Sequence, residues 1–341
     1  MKVALDVMGG DRAPAVNLAG AKDALACYPS IEKLFLVGDQ GAIEAEAPTH
    51  GLDLKDPRLE IIHAAEVISM CEPGATTIRR KKQSSISLAL DLVKAGRADA
   101  FVSAGNTGAC VAGAQIKLRL IPGIERPGIA SALPNEFGAC HLLDAGANPE
   151  AKPSHLLGYA IMGSAFATGV MGVKRPKVGI MSNGEEDEKG TAFTKDTFKL
   201  IKEFTETSKA PFEFLGNVEG HDLFESELDV CLCDGFTGNV VLKSCEATAK
   251  AMSKWLKASL TASPVRKMGA LIAKGAFAEL KERASAESYG GSPLLGVNGV
   301  VIIAHGGSSA LAIRNAIRVG VESVNHQVNL HISETLERLK G

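Results

Sequence analysis

The chain has 341 residues, 45% of them hydrophobic, 22% charged and only 5% aromatic. A compact fold of this length buries about 75% of the surface its unfolded chain exposes, which excludes disorder and a small disulfide-stapled scaffold. A formal net charge of −2 gives no global attraction to nucleic acid.

Lys2–Met8 reads as a strand and Pro14–Tyr28 as a helix with proline at its start. Strands follow at Lys33–Val37 and Leu59–His63, with a short helix between them. Ser85–Ala95 is an amphipathic helix closed by Gly96, Ala98–Ser103 a strand and Asn106–Leu118 a helix. Gly128–Leu133 and Cys140–Asp144 read as a close pair of strands. The 18 uncharged residues from Leu156 to Val173 are at the bottom of the membrane-spanning range. Four glycines and several hydroxyls within them favour a buried helix, which the pattern places at Ser154–Met171. A strand at Lys177–Ser182 and a helix at Thr191–Thr207 come next, then strands at Phe212–Leu215 and Leu228–Cys233. Thr237–Leu260 is a long helix broken by Pro264, and a second helix is expected to run to about Arg283. Val300–Ala304 is the last strand, and one long helix is expected from Ser308 onward.

This alternation specifies an α/β fold with a mostly parallel, doubly wound sheet covered by helices on both faces. No repeat or Gly/Ser/Pro linker interrupts it, so residues 1–341 are expected to form a single large α/β unit. Asp6 and Asp11 interrupt the first apolar stretch, so no signal peptide is read. The seven cysteines show no zinc spacing, and Cys231 and Cys233 alternate with Leu232 as small buried hydrophobes would. A reducing cytoplasm is expected.

In an open α/β sheet, ligands bind beyond the carboxyl ends of the strands. Here those ends carry Met8-Gly-Gly-Asp11, Ser103-Ala-Gly-Asn-Thr-Gly108, Asp144-Ala-Gly-Ala-Asn148, Ser182-Asn-Gly-Glu185, Gly216-Asn-Val-Glu-Gly220 and Asp234-Gly-Phe-Thr-Gly-Asn239. Asn and Gly populate turns for conformational reasons alone. Their recurrence is expected to mark one edge of the sheet as a cleft suited to phosphate and a developing oxyanion. No G-x-G-x-x-G, P-loop, H-E-x-x-H or G-x-S-x-G motif is present, so the site must bind phosphate without a nucleotide fingerprint.

Those turns, with Arg79-Arg-Lys-Lys82-x-Ser-Ser85 and Pro293-Leu-Leu-Gly-Val-Asn-Gly299, follow in an order that resembles the phosphate acyltransferase (PlsX) family of bacterial phospholipid synthesis. The resemblance covers Met1 to about Val319. It implies transfer of a fatty acyl group from acyl-acyl-carrier protein to inorganic phosphate, without metal or other cofactor. It also implies a three-layer α/β/α sandwich like that of isocitrate dehydrogenase and phosphotransacetylase. A homodimer, peripheral membrane contact and supply of a membrane glycerol-3-phosphate acyltransferase are implied as well. The sequence departs from the family pattern at His221, where arginine is usual, at Thr191, where asparagine is usual, around Cys71, and in the extra glycine of His305-Gly-Gly-Ser308.

Under this reading Lys189 pairs with phosphate, while Glu185–Glu188 beside it face solvent. Asp234 orients or deprotonates the phosphate, with capping of the following helix as its alternative role. Asn239 donates to the thioester oxygen, and His305 supplies a proton or hydrogen bond. Gly9, Gly10, Asp11, Asn106, Thr107, Asn148, Asn217 and Gly238 line the substrate. Phosphate is itself a competent nucleophile, so no cysteine is assigned that role. Arg79, Arg80, Lys81 and Lys82 are expected to steer an acidic carrier protein, a solvated loop being the bland alternative. The helical stretch at 251–283 mixes Trp255, Leu256, Met268, Leu271, Ile272 and Phe277 with lysines and arginines, as an interfacial or dimer-packing element does. The enzymatic rival is a phosphotransacetylase-like transfer from a short acyl-coenzyme A; a dehydrogenase and a non-enzymatic scaffold are weaker.

Overall fold

The computed structural model describes residues 1–207, 210–283 and 289–339. Its strands are β1 Lys2–Asp6, β2 Lys33–Gly38, β3 Leu59–His63, β4 Ala100–Ser103, β5 Gly128–Asn135 and β6 Gly138–Leu143. They continue with β7 Lys177–Met181, β8 Glu213–Val218, β9 Val230–Leu232, β10 Ser292–Leu295 and β11 Val300–Ile303. The helices are α1 Ala15–Cys27, α2 Gln40–Glu46, α3 Gly74–Arg80, α4 Ser85–Lys94, α5 Thr107–Lys117, α6 Pro153–Met171 and α7 Ala192–Thr207. After α8 Asp222–Glu225 come α9 Gly235–Thr261, α10 Pro264–Ile272, α11 Lys274–Arg283, α12 Ala310–Asn325 and α13 Val328–Arg338.

All eleven strands join one sheet in the order β3-β2-β1-β4-β11-β10-β5-β6-β9-β7-β8. The five strands from β3 to β11 are mutually parallel, and so are the four from β6 to β8. Between the two sets β10 pairs antiparallel with β11 and β5, and β5 antiparallel with β6. Three successive antiparallel pairings reverse the direction, so the carboxyl ends of the two sets emerge at opposite edges. This corrects the expectation of a single edge carrying every Asn-Gly turn. Local pattern reports that a strand exists but not which way it runs relative to strands 150 residues distant.

Strand alternation feeds two helix layers. Val3, Leu5 and Ile302 pack under α1 and α12, whereas Ala4, Val301 and Ile303 point to the other face, against α4 and α5. In the second set, Leu143, Val230 and Leu232 face α6, α7 and α13. Cys140, Leu142 and Cys231 face α8 and the start of α9. The uncharged stretch is α6, with Leu156 and Tyr159 fully buried, and no helix among the described residues is long and apolar enough to cross a membrane.

Four local expectations need correction. Gly74–Arg80 is a helix, so Arg79 and Arg80 end α3 rather than lie in a loop. The strand β10 is short and begins Ser292-Pro293, which hides it from a periodicity reading. The helix expected up to Arg283 is two helices separated at Ala273. The terminal helix likewise breaks at Gln327, whose φ of 49° is left-handed.

Candidate active site

The turns leaving β1, β4 and β11 meet at one edge. Asp6 ends β1 and is 1% exposed. Its Oδ1 accepts the Met8 N–H at 3.1 Å and its Oδ2 the Ser103 hydroxyl at 2.7 Å. Burial pushes its pKa above the ordinary carboxylate value despite these donors. A Cβ on Gly9 would stand 2.6 Å from both Asp6 Oδ2 and the Gly105 nitrogen, so only glycine lets the two turns touch. Asp11 donates its N–H to the Gly306 carbonyl at 2.8 Å, and the Arg12 guanidinium donates to the Ser308 carbonyl at 2.8 Å. The Asn106 Oδ1 accepts the Ala109 N–H at 3.0 Å, capping α5, while its Nδ2 donates to the Ser69 and Glu72 carbonyls. Thr107 opens α5 and is half-buried. His305 is exposed, and its Nδ1 accepts the Gly307 N–H at 3.0 Å, so the neutral ring carries its hydrogen on Nε2.

At the opposite edge the turns of β6, β9, β7 and β8 lie side by side. Asp144 is fully buried. Its Oδ1 accepts N–H groups from Ile129, Gly146 and Ala147 at 2.8–3.0 Å, and its Oδ2 accepts the Asn148 N–H at 2.7 Å. Burial still pushes its pKa up. Asn148 is buried too, its Nδ2 donating to the Pro127 carbonyl at 2.6 Å, the Tyr159 hydroxyl at 2.8 Å and Asp144 Oδ2 at 3.1 Å. It builds the turn rather than faces a substrate. On this turn sits α9: the Gly235 N–H donates to the Asn148 carbonyl, and a Cβ on Gly238 would come within 2.0 Å of the Asp144 carbonyl. Asn239 is thereby held over Gly146, its amide unpaired among the described residues.

Asp234 caps α9. Its Oδ1 accepts the Phe236 and Thr237 N–H groups at 3.0 and 2.9 Å, and its Oδ2 the Thr237 hydroxyl at 2.7 Å. Both oxygens are committed, which is the arrangement expected of a cap rather than a base.

Lys189 lies in the turn after β7, its N–H donating to the Glu186 carbonyl at 2.9 Å. Its side chain is 49% exposed, and its Nζ is 3.9 Å from Glu186 Oε2. Glu185 through Glu188 are exposed, as expected. Gly216 and Asn217 are not in a turn; they lie within β8, beyond a register shift in its pairing with β7, where Gly216 adopts a φ of 90°. Asn217 Nδ2 donates to the Glu186 carbonyl at 2.9 Å and so anchors the Lys189 turn. The buried Oδ1 of Asn217 and Oγ of Ser182 have no hydrogen-bond partner among the described residues, which leaves both open to a ligand. Thr191 accepts the Thr194 N–H at 3.2 Å at the start of α7, a role asparagine fills equally well. His221 stands 3.7–3.8 Å from Glu185, Glu219 and Asp222.

The structure thus brings together Lys189, Asn217, Asp234, Gly238, Asn239 and Asn148 at one edge. Gly9, Gly10, Asp11, Asn106, Thr107 and His305 gather at the other. Leu242 of α9 packs against the same core as α5, so helices from both edges share one face. Ser182, with its unpartnered Oγ, was not singled out from the sequence. Its signal was present, since Ser182-Asn-Gly ends β7 much as Ser103-Ala-Gly ends β4. The buried thiols are poor nucleophiles: burial pushes Cys110 up to about 12 and raises Cys140, Cys231 and Cys233 as well.

A family model described as "Fatty acid synthesis protein" matches residues 1–331. The chain belongs to this family. It is 60% identical over 339 residues to the phosphate acyltransferase of Akkermansia muciniphila, covering 99% of this chain and 97% of that one. It is 43% identical to the phosphate acyltransferase of Geobacter sulfurreducens, covering 99% and 94%. The resemblance read from the motifs therefore holds over the whole chain. Among solved structures, it is similar to a phosphotransacetylase from Streptococcus pyogenes, with a TM-score of 0.60, 15% identity and coverage of 95% and 94%. The EutD phosphotransacetylase from Staphylococcus aureus gives a TM-score of 0.55 at 16% identity, covering 99% and 94%. At such identities these matches speak to the fold, and they agree with the layered α/β/α architecture.

Proposed function

We propose that this chain transfers a fatty acyl group from an acyl-carrier-protein thioester to inorganic phosphate, releasing acyl phosphate for phospholipid synthesis. Membership of the family carries the reaction. The observation that supports this edge is the unpartnered Ser182 Oγ next to the Lys189–Gly190 turn, where Lys189 makes only a 3.9 Å ion pair with Glu186 and the Asn239 amide has no partner among the described residues.

Lys189 and the Ser182 hydroxyl bind phosphate as cation and donor. Asn239 donates to the thioester oxygen as negative charge develops there. Asp234 fixes the first turn of α9 and thereby the direction of Asn239. Phosphate oxygen attacks the thioester carbon, the carbon–sulfur bond breaks, and the thiolate leaves. The protein contributes proximity and charge stabilisation. His305 and Asp11 lie at the far edge, away from the bond-making step. The chain works as one unit, since a single sheet joins both edges. The exposed apolar residues of α10 and α11 are the membrane or dimer element, Leu271 being 65% and Ile272 82% exposed.

The test is phosphate-dependent release of free carrier thiol from a long-chain acyl donor, with acyl phosphate recovered in equal amount. Release that ignores phosphate, or that occurs only with short acyl-coenzyme A, overturns the reading.

A further inference from the structure

We infer that the acyl donor's acidic carrier docks along one lysine-bearing face of α9, rather than on the basic cluster at 79–82; the inference rests on the function proposed above. The helix α9 contains four lysines, Lys243, Lys250, Lys254 and Lys257, against one acid, Glu246. At 3.6 residues per turn the four fall within an arc of about 60°. All are exposed, and none has an ion-pair partner among the described residues. The column starts beside the reaction: a rise of 1.5 Å per residue puts Lys243 about 6 Å and Lys257 about 27 Å along the axis from Asn239.

Two apolar side chains head the same face. Phe236 is 67% and Val240 49% exposed, one turn apart in the first two turns of α9. Packing gives no account of a phenylalanine left so open at the foot of this helix. A thioester donor supplies both complements: an apolar acyl chain for Phe236 and Val240, and a negatively charged protein surface for the lysines. The other apolar residues of α9, Met252, Trp255 and Leu256, project on the opposite side, about 120–220° around the axis from Lys243. A membrane or a second copy that takes the apolar side leaves the lysine column free.

The cluster at 79–82 fits a carrier less well. Lys81 Nζ is 2.8 Å from Glu72 and also donates to the Val67 carbonyl, and Arg80 is 3.7 Å from the same glutamate. The helix α3 that bears Arg79 and Arg80 also packs on α5, at the edge opposite Lys189 and Asn239.

The experiment is steady-state acyl transfer by the full chain, with long-chain acyl-carrier protein and long-chain acyl-coenzyme A compared as donors. The double variant Lys250→Glu/Lys254→Glu is expected to raise KM for the carrier donor on the order of ten-fold at low salt, with kcat retained. The effect should shrink as salt shortens the Debye length, to about 8 Å at physiological ionic strength. KM for acyl-coenzyme A should change much less, and Lys250→Arg/Lys254→Arg should restore carrier use. Equal losses with both donors overturn the docking face. So does an unchanged carrier KM accompanied by lost vesicle binding or a lost dimer, which assigns the column to a membrane or a second copy. A ten-fold carrier effect from Arg79→Glu/Arg80→Glu instead returns docking to the far edge. If the unmodified protein shows no phosphate-dependent thiol release from either donor, the proposed function fails, and that outcome is read before any variant is compared.

Discussion

The turn after β1 and the turn after β6 are built alike and used differently. Each begins at a buried aspartate that folds a glycine-bearing turn around itself, Asp6 through Met8 and Ser103, Asp144 through four backbone N–H groups. At the first edge two of the polar side chains that follow are spent on the protein: Asn106 on α5 and on the strand-to-helix segment at 69–72, Arg12 on two carbonyls. At the second edge the structural work falls to Asp144, Asn148 and Asp234, which leaves Ser182 Oγ and Asn239 without a partner among the described residues and Lys189 with only a 3.9 Å ion pair to Glu186. An Asn-Gly turn is therefore a poor guide to chemistry by itself. What matters is which side chains remain after the turn's own donors and acceptors are satisfied.

The strongest way to break this comparison is to remove the two aspartates. Asp144→Ala leaves four N–H groups, two of them buried, without an acceptor and should cost about 3–5 kcal/mol in denaturant unfolding. Asp6→Ala, whose closest donors are the Met8 N–H and the Ser103 hydroxyl, should cost less. Equal losses would show that the turns are not differently loaded. Lys189→Ala should lower kcat/KM for phosphate by about 10²–10³-fold with an unchanged melting temperature, as the loss of one charged or oxyanion donor does. His305→Ala, at the other edge, should lower kcat/KM by less. A larger kcat loss at His305 than at Lys189 would move the bond-making step across the sheet.

A third test uses His141, on β6, which has no counterpart in the first set of strands. It is 8% exposed and packs edge-on against Phe166, and burial lowers its pKa from 6.5 to about 4. Above pH 6.5 the ring is neutral in folded and unfolded chains alike, so its contribution is complete there. As pH falls from 6.5 to 4 the unfolded chain takes the proton first, and about 3 kcal/mol of stability is lost. Urea midpoints of His141→Phe should lack that part of the acid slope; an unchanged slope between pH 6.5 and 4 refutes the assignment. The smallest expected effect on folding is at Leu271→Glu/Ile272→Glu, within about 0.5 kcal/mol because both side chains are exposed. The same variant should release the protein from anionic vesicles and leave acyl transfer in solution intact. Loss of a dimer without loss of vesicle binding would make that surface a protein contact.

Periodicity and end signals in the sequence were enough to place most strands and helices, because an amphipathic pattern and a capping residue act within a few residues. Leu59–His63 is identical in both readings, and α6 was legible as a buried helix from its glycines and lack of charge. The motif order established the family. Where single residues have two physical uses, the sequence left both open, as for Asp234, and only the structure shows the Phe236 and Thr237 N–H groups positioned for the cap. The tertiary structure alone decided that Lys189 and His305 leave opposite edges of the sheet. That outcome depends on the antiparallel pairings of β10 and β5, which join segments about 165 residues apart at Ile129 and Leu294. Nothing in either segment's own pattern records the direction of its partner, so the edge on which a side chain emerges exists only once the sheet has formed.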